Sequence, residues 1–158
     1  MTELSGCAII QIKYIHTRSK VVTVDAIFFE KDGTLIDFDE FWILISIKAI
    51  EIILKRTNMC NVPANLILEA FGVSDGITSI GGVLCKGTYR QMGEIVYNFL
   101  PRYGYNGSRN EVITFLIDAY NENADAGQIM PTCPELATTL YELKKQNKRL
   151  AIVTTDSF

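Results

Sequence analysis

A chain of 158 residues, 48% of them hydrophobic, has the length of one globular domain, or of one domain with a small lobe, and enough apolar material to bury a core. Its 15 Lys and Arg against 18 Asp and Glu leave a formal net charge of -3, which excludes a strongly basic nucleic-acid binder and a disordered charged polymer. The most apolar stretch, residues 41–54, is interrupted by Ser46, Lys48 and Glu51, so no membrane partner is expected.

The opening residues, MTELSGCAIIQIK, lack the basic start, apolar block and small-residue cleavage site of a secretory signal, and a cytoplasmic location is expected. Residues 1–20 read as an extension or edge strand, with Ile10, Ile12 and Tyr14 alternating against Gln11 and Lys13 over residues 8–14. The run VVTVDAIFF, residues 21–29, predicts a strand covered on both sides. It stops at the polar loop EKDGT. Asp39 is expected to cap a helix that begins near Glu40. Lys48, Glu51 and Lys55 mark the polar stripe of that helix, while Trp42, Leu44, Ile45, Ile50, Ile52 and Ile53 ask for partners on several sides.

Asn58, Asn61 and Pro63 end the helix and lead into a shorter apolar segment over 64–71. Residues 72–87 hold five glycines and read as turns, with none of the spacing of a dinucleotide fingerprint. Helical patterns follow over 88–100 and 109–123, separated by PRYGYNGS. Beyond Pro131 and Pro134, Leu136, Leu140 and Leu143 recur at helical spacing, and Lys144, Lys145, Lys148 and Arg149 crowd the helix end. Residues 150–153 then predict a strand. Strand, helical insertion, helix and strand make an α/β arrangement.

The loop after the first strong strand carries most of the chemistry. Glu30 and Asp32 stand two positions apart at the strand end, Gly33 lets the backbone turn, and Thr34 offers a hydroxyl. Such a cluster suits a divalent cation with a phosphate, because hard cations take oxygen ligands; an ordinary solvated turn is the competing reading. Cys7, Cys60, Cys85 and Cys133 are scattered singly and suit isolated thiols. His16 is the sole histidine, which leaves little support for a His-rich metal site. Trp42, Tyr97, Phe99, Tyr103 and Tyr105 can line a pocket or pack a core, and Arg102 or Arg109 can meet an anion or sit in an exposed turn.

The segment IFFEKDGTLID, residues 27–37, resembles the first motif of the haloacid dehalogenase-like hydrolase superfamily, an apolar strand followed by DxDGT and often LxD. A second segment, LAIVTTDS at 150–157, is similar to the family's second motif, where an apolar strand ends in Thr or Ser. The resemblance implies a partial Rossmann-like parallel-sheet core over 21–37 and 130–158, with a mostly helical cap over 38–129 inserted after the first strand. It implies Glu30 in the nucleophile's position and Asp32 as general acid/base, both holding Mg2+. Gly33, Thr34, Thr154 and Thr155 fall where the phosphoryl group is bound. The implied reaction is phosphoglycolate-phosphatase-like hydrolysis of a small phosphorylated metabolite through an acyl-phosphate.

Two departures from the family pattern set further expectations. Glu30 replaces the usual Asp, and its extra methylene moves the carboxylate by more than about 1 Å, a displacement that can cost about 100-fold in a preorganised site. The family also supplies a Lys and late acidic ligands after the second motif, and Lys144, Lys145 and Lys148 precede Thr154. A truncated, split or decayed family member is therefore expected, completed by a carboxyl-terminal fragment or by homo-oligomerisation. The alternative function is a catalytically inactive phosphate- or metal-binding or structural interaction protein.

Overall fold

The computed structural model of the chain describes residues 15–17, 20–22 and 24–155. In chain order the elements are β1 (Ile15–Thr17), β2 (Lys20–Val22), β3 (Ala26–Glu30), α1 (Phe38–Arg56), α2 (Ala64–Ala70), β4 (Val73–Ser74), β5 (Ile77–Thr78), α3 (Val83–Lys86), α4 (Tyr89–Phe99), α5 (Arg109–Glu122), α6 (Leu136–Lys145) and β6 (Arg149–Val153). The strand expected at 8–14 lies outside the described residues. The described chain forms two compact units, one holding the residues up to Asp37 and from Met130 onward, the other Phe38–Ile129.

In the first unit, residues 21–29 are not one strand. β2 pairs antiparallel with β1, whereas β3 pairs parallel with β6 in the register Ala26↔Arg149 to Glu30↔Val153. The change of partner falls at Val24 and Asp25. The Asp25 carbonyl accepts the Arg149 N–H at 2.9 Å, and Lys148 Nζ donates to the Val24 carbonyl at 2.6 Å. Nor is β3 covered on both sides. With only β6 paired to it among the described residues, Ala26, Phe28 and Glu30 share an exposed face with Arg149, Ala151 and Val153, and Phe28 is 69% exposed. On the opposite face Ile27, Phe29 and Leu150 are half-buried, while Ile152 is exposed. Leu143 of α6 is the one buried hydrophobic residue of this unit among those described.

The second unit holds the main core. α1 starts at Phe38, ahead of the expected position near Glu40, so Asp39 lies in its first turn. Instead of capping the helix, Asp39 is drawn to another element, its Oδ1 accepting the Thr78 N–H of β5 at 3.0 Å. Ile45, Ala49, Ile50 and Ile53 bury the inner side of α1 against α5, which contributes Val112, Leu116, Ala119 and Tyr120. α4 crosses α5 with Gly93 directly against the Ile113 backbone.

The start of α4 is fixed by a reciprocal cap. Thr88 Oγ1 accepts the Gln91 N–H at 3.2 Å, and Gln91 Oε1 accepts the Thr88 N–H at 2.8 Å. The glycine-rich stretch contains the β4–β5 hairpin and the short α3 as well as turns. Asp75 (φ 52°) and Gly76 (φ 76°) form its two-residue loop, the left-handed pair that an Asp-Gly hairpin turn requires. No helix among the described residues is long and apolar enough to cross a membrane.

Candidate functional site

β3 and β6 run parallel, so their carboxyl ends open on the same side, the side on which open α/β sheets build their sites. Glu30 closes β3 opposite Val153, and Thr154 follows on the neighbouring strand. Adjacent strands lie about 4.8 Å apart, so the register brings residues 30 and 154, which are far apart in sequence, to one rim. Glu30 is exposed, Thr154 half-buried and Thr155 exposed. Among the described residues the Glu30 carboxylate makes no hydrogen bond or ion pair.

Beyond Glu30 the chain folds back on itself. The Lys31 carbonyl accepts the N–H groups of Leu35 at 2.9 Å and Ile36 at 3.1 Å, and Gly33 N–H donates to the Ile36 carbonyl at 2.9 Å. The turn needs φ 72° at Gly33, a left-handed conformation that a side chain disfavours by roughly 1–2 kcal/mol. Space is not the constraint there, because a Cβ at this position meets nothing within 4 Å. The backbone face at Gly33 is open.

Asp32 is half-buried, with its Oδ1 3.0 Å from Lys31 Nζ. Thr34 lies next in the turn, and among the described residues neither its N–H nor its hydroxyl has a hydrogen-bond partner. Its carbonyl is held from far away, by Thr132 Oγ1 at 2.7 Å, 98 positions along the chain. Asp32, Gly33 and Thr34 thus form one loop beyond the β3 end, with Thr154 and Thr155 on the β6 side of the rim. Sequence reasoning missed Lys31 and Thr132. Lys31 is legible only as a neighbour of two acids, and nothing local to Thr132 announces its contact.

Glu30 and Asp32 offer magnesium the oxygen donors it prefers. A site of one or two protein carboxylates, with water and phosphate filling the remaining positions, is ordinary for that ion. In chemical kind the pair fits. Among the described residues no group of three or more His, Cys, Asp or Glu side chains comes together that can hold a metal. Lys148 is occupied with the Val24 carbonyl.

The aromatic candidates of the second unit pack against its core. Trp42 meets Phe41 edge-on at 5.3 Å, Tyr97 meets Tyr105 at 6.5 Å, and Tyr103 and Phe99 lie against the buried cluster. Arg102 covers the Phe99 ring at 5.9 Å, and Arg109 pairs with Glu94 at 2.7 Å. Burial, together with a hydrogen bond to Glu111, pushes the Tyr105 phenol up to about 12.

No protein-family model matches the chain, and no curated protein matches it. The resemblance to haloacid dehalogenase-like hydrolases therefore rests on residues 27–37 and 150–157.

Proposed function

We propose that this chain carries the phosphate-handling rim of a magnesium-dependent, phosphoglycolate-phosphatase-like hydrolase acting on a small phosphate monoester. One observation carries the reading: Glu30 ends β3 and Thr154 directly follows the end of its parallel neighbour β6, with the open Gly33–Thr34 turn beyond. An acid, two hydroxyl residues and a bare glycine backbone are what a phosphoryl group needs around it.

In this reading a Glu30 carboxylate oxygen bonds to phosphorus while the bond from phosphorus to the leaving oxygen breaks, and Asp32 gives that oxygen its proton. Asp32, now a carboxylate, takes a proton from water as that water attacks the acyl-phosphate, releasing inorganic phosphate and restoring Glu30. Lys31 steadies the Asp32 carboxylate between the two steps. Thr34 and Thr154 orient the phosphoryl oxygens, with Gly33 and Thr155 bordering them. Glu30 and Asp32 are the residues that would hold Mg2+, whose charge offsets that of the phosphate and the attacking carboxylate.

The setting belongs to the same proposal. Cys60, Cys85 and Cys133 are free thiols, which suits a reducing cytoplasm. Burial, then the nearby Asp39 charge, pushes the Cys85 thiol up and keeps it protonated.

A second reading, a phosphate- or metal-binding or structural interaction protein without turnover, is favoured by the Lys31–Asp32 ion pair, which already engages the acid. Initial rates on a panel of phosphate monoesters with Mg2+ separate the two. The hydrolase reading expects turnover that falls at least about 100-fold in Asp32→Asn with the melting temperature held. Binding of inorganic phosphate without turnover in the unaltered chain supports the second reading and sinks the first.

A further inference from the structure

We propose that Thr132 is a positioning residue for the Gly33–Thr34 turn, fixing the carboxyl side of Thr34 and so the place of that residue's N–H and hydroxyl; its bearing on phosphate rests on the function proposed above. The Thr34–Leu35 peptide is pinned at both ends. Its carbonyl accepts the Thr132 hydroxyl at 2.7 Å, and its N–H donates to the Lys31 carbonyl at 2.9 Å. One residue further back stands Gly33, with φ 72° and open space where a side chain would be, so the Gly33–Thr34 unit that leads into this peptide is joined to the chain before it by a soft link. With the Thr34–Leu35 peptide held only by its N–H, Thr34 and the peptide on either side of it can swing together from that link. The second bond removes that freedom.

Thr132 is itself placed by a short antiparallel ladder. Ile36 and Pro131 face each other, the Thr132 N–H donates to the Leu35 carbonyl at 3.3 Å, and the Asp37 N–H donates to the Met130 carbonyl at 2.8 Å. These bonds come from the residues flanking the facing pair, so Pro131, which has no N–H, weakens nothing. The side chain that follows Pro131 is thereby held beside the turn. Thr132 is half-buried, so a solvent hydroxyl is a poor substitute for its own. It touches no substrate atom in this scheme and acts through Thr34.

The test compares Thr132→Val, which keeps shape and loses the hydroxyl, with Thr132→Ser, which keeps it. Amide hydrogen exchange is followed at Leu35 and Ile36, and inorganic phosphate binding is followed by phosphorus NMR with Mg2+ present. Thr132→Val is expected to speed exchange at these two amides about tenfold and to loosen phosphate about tenfold, with Thr132→Ser close to the unaltered chain. Unchanged exchange at Leu35 and Ile36 overturns the proposal. So does an equal loss of protection along β3 and β6, because Thr132 then holds the fold rather than the turn. If the unaltered chain binds no phosphate, the hydrolase reading falls and the exchange result alone decides the positioning. Should Thr132→Val fail to fold, Thr132→Ala is read by the same exchange criterion.

Discussion

Under the proposed function, one methylene at residue 30 is the departure that matters most. Glu30 has the charge of the Asp that stands at this position in the hydrolases its loop resembles, yet its carboxylate reaches further from the strand. If residue 30 attacks phosphorus, Glu30→Asp is expected to raise initial rates about 10- to 100-fold, since displacement on the order of 1 Å costs about that much. A rate that falls in Glu30→Asp would mean the turn is built around the longer side chain.

A second pair of side chains sets the stability of the inserted unit. Ser46 donates to the Trp42 carbonyl at 2.7 Å and shares a hydrogen bond with the Tyr120 hydroxyl, 2.7 Å away, in which either oxygen can be the donor. Both residues are buried, at 0% and 2% exposure. Ser46→Ala strands a buried phenol and is expected to cost about 1–3 kcal/mol, against about 1 kcal/mol for Tyr120→Phe, read from urea midpoints at constant slope. Burial raises the Tyr120 phenol above its ordinary range, with the Ser46 bond opposing and the neighbouring Tyr89 adding to it. Folding thus keeps the Tyr120 proton on. The stability this contributes is fully present below about pH 10 and is lost as pH climbs above it. The melting temperature is expected to fall less steeply above pH 10 in Tyr120→Phe.

Among the elements, what is legible depends on whether the deciding contact is local. The helices over 89–99 and 109–122 follow from apolar spacing alone, and Thr88 with Gln91 states the start of α4 within four residues. The β4–β5 hairpin is also local, since Asp75-Gly76 between Val73-Ser74 and Ile77-Thr78 is a hairpin signal that the surrounding glycines hide. The start of α1 is not local, because Asp39 is bound by Thr78. Residues 27–37 form one contiguous motif that is visible without the fold, whereas the Thr132 bond to Thr34 is not. The packing of α4 on α5 belongs to the same category. A Cβ on Gly93 would sit 2.9 Å from Ile113 Cα, too close for either backbone to accept. Gly93→Ala gains about 1 kcal/mol of helix propensity and loses more through overpacking. Its net effect is expected to be about 1–2 kcal/mol of destabilisation, measured by thermal or urea unfolding.

For the whole molecule, the distribution of buried side chains is the deciding quantity. Every buried hydrophobic residue among those described lies within Phe38–Ile129 except Leu143. The parallel β3–β6 pair is thinly covered, with Phe28 at 69% and Val153 at 55% exposure on one face and Ile152 at 62% on the other. Local opening is governed by such differences in buried contact. Native-state hydrogen exchange is expected to release the amides of β3 and β6 well before those of α1, α4 and α5, and equal protection in both units would contradict this. The excised segment 38–129 is expected to unfold in one cooperative transition.

The pairing of Ala26 with Arg149 also sets an order of events during synthesis. β3 leaves the ribosome before the whole insertion, and β6 appears only after a further 120 or so residues, on the order of 10 s later at ~5–20 residues per second. Closing so long a flexible loop is entropically unfavourable and slow. If α1, α4 and α5 collapse first, the connection is already folded when β6 arrives, and little chain remains to be ordered. The insertion then acts as an internal folding clamp for the strands that flank it, and a mutation in its core such as Gly93→Ala would delay β3–β6 pairing without touching either strand.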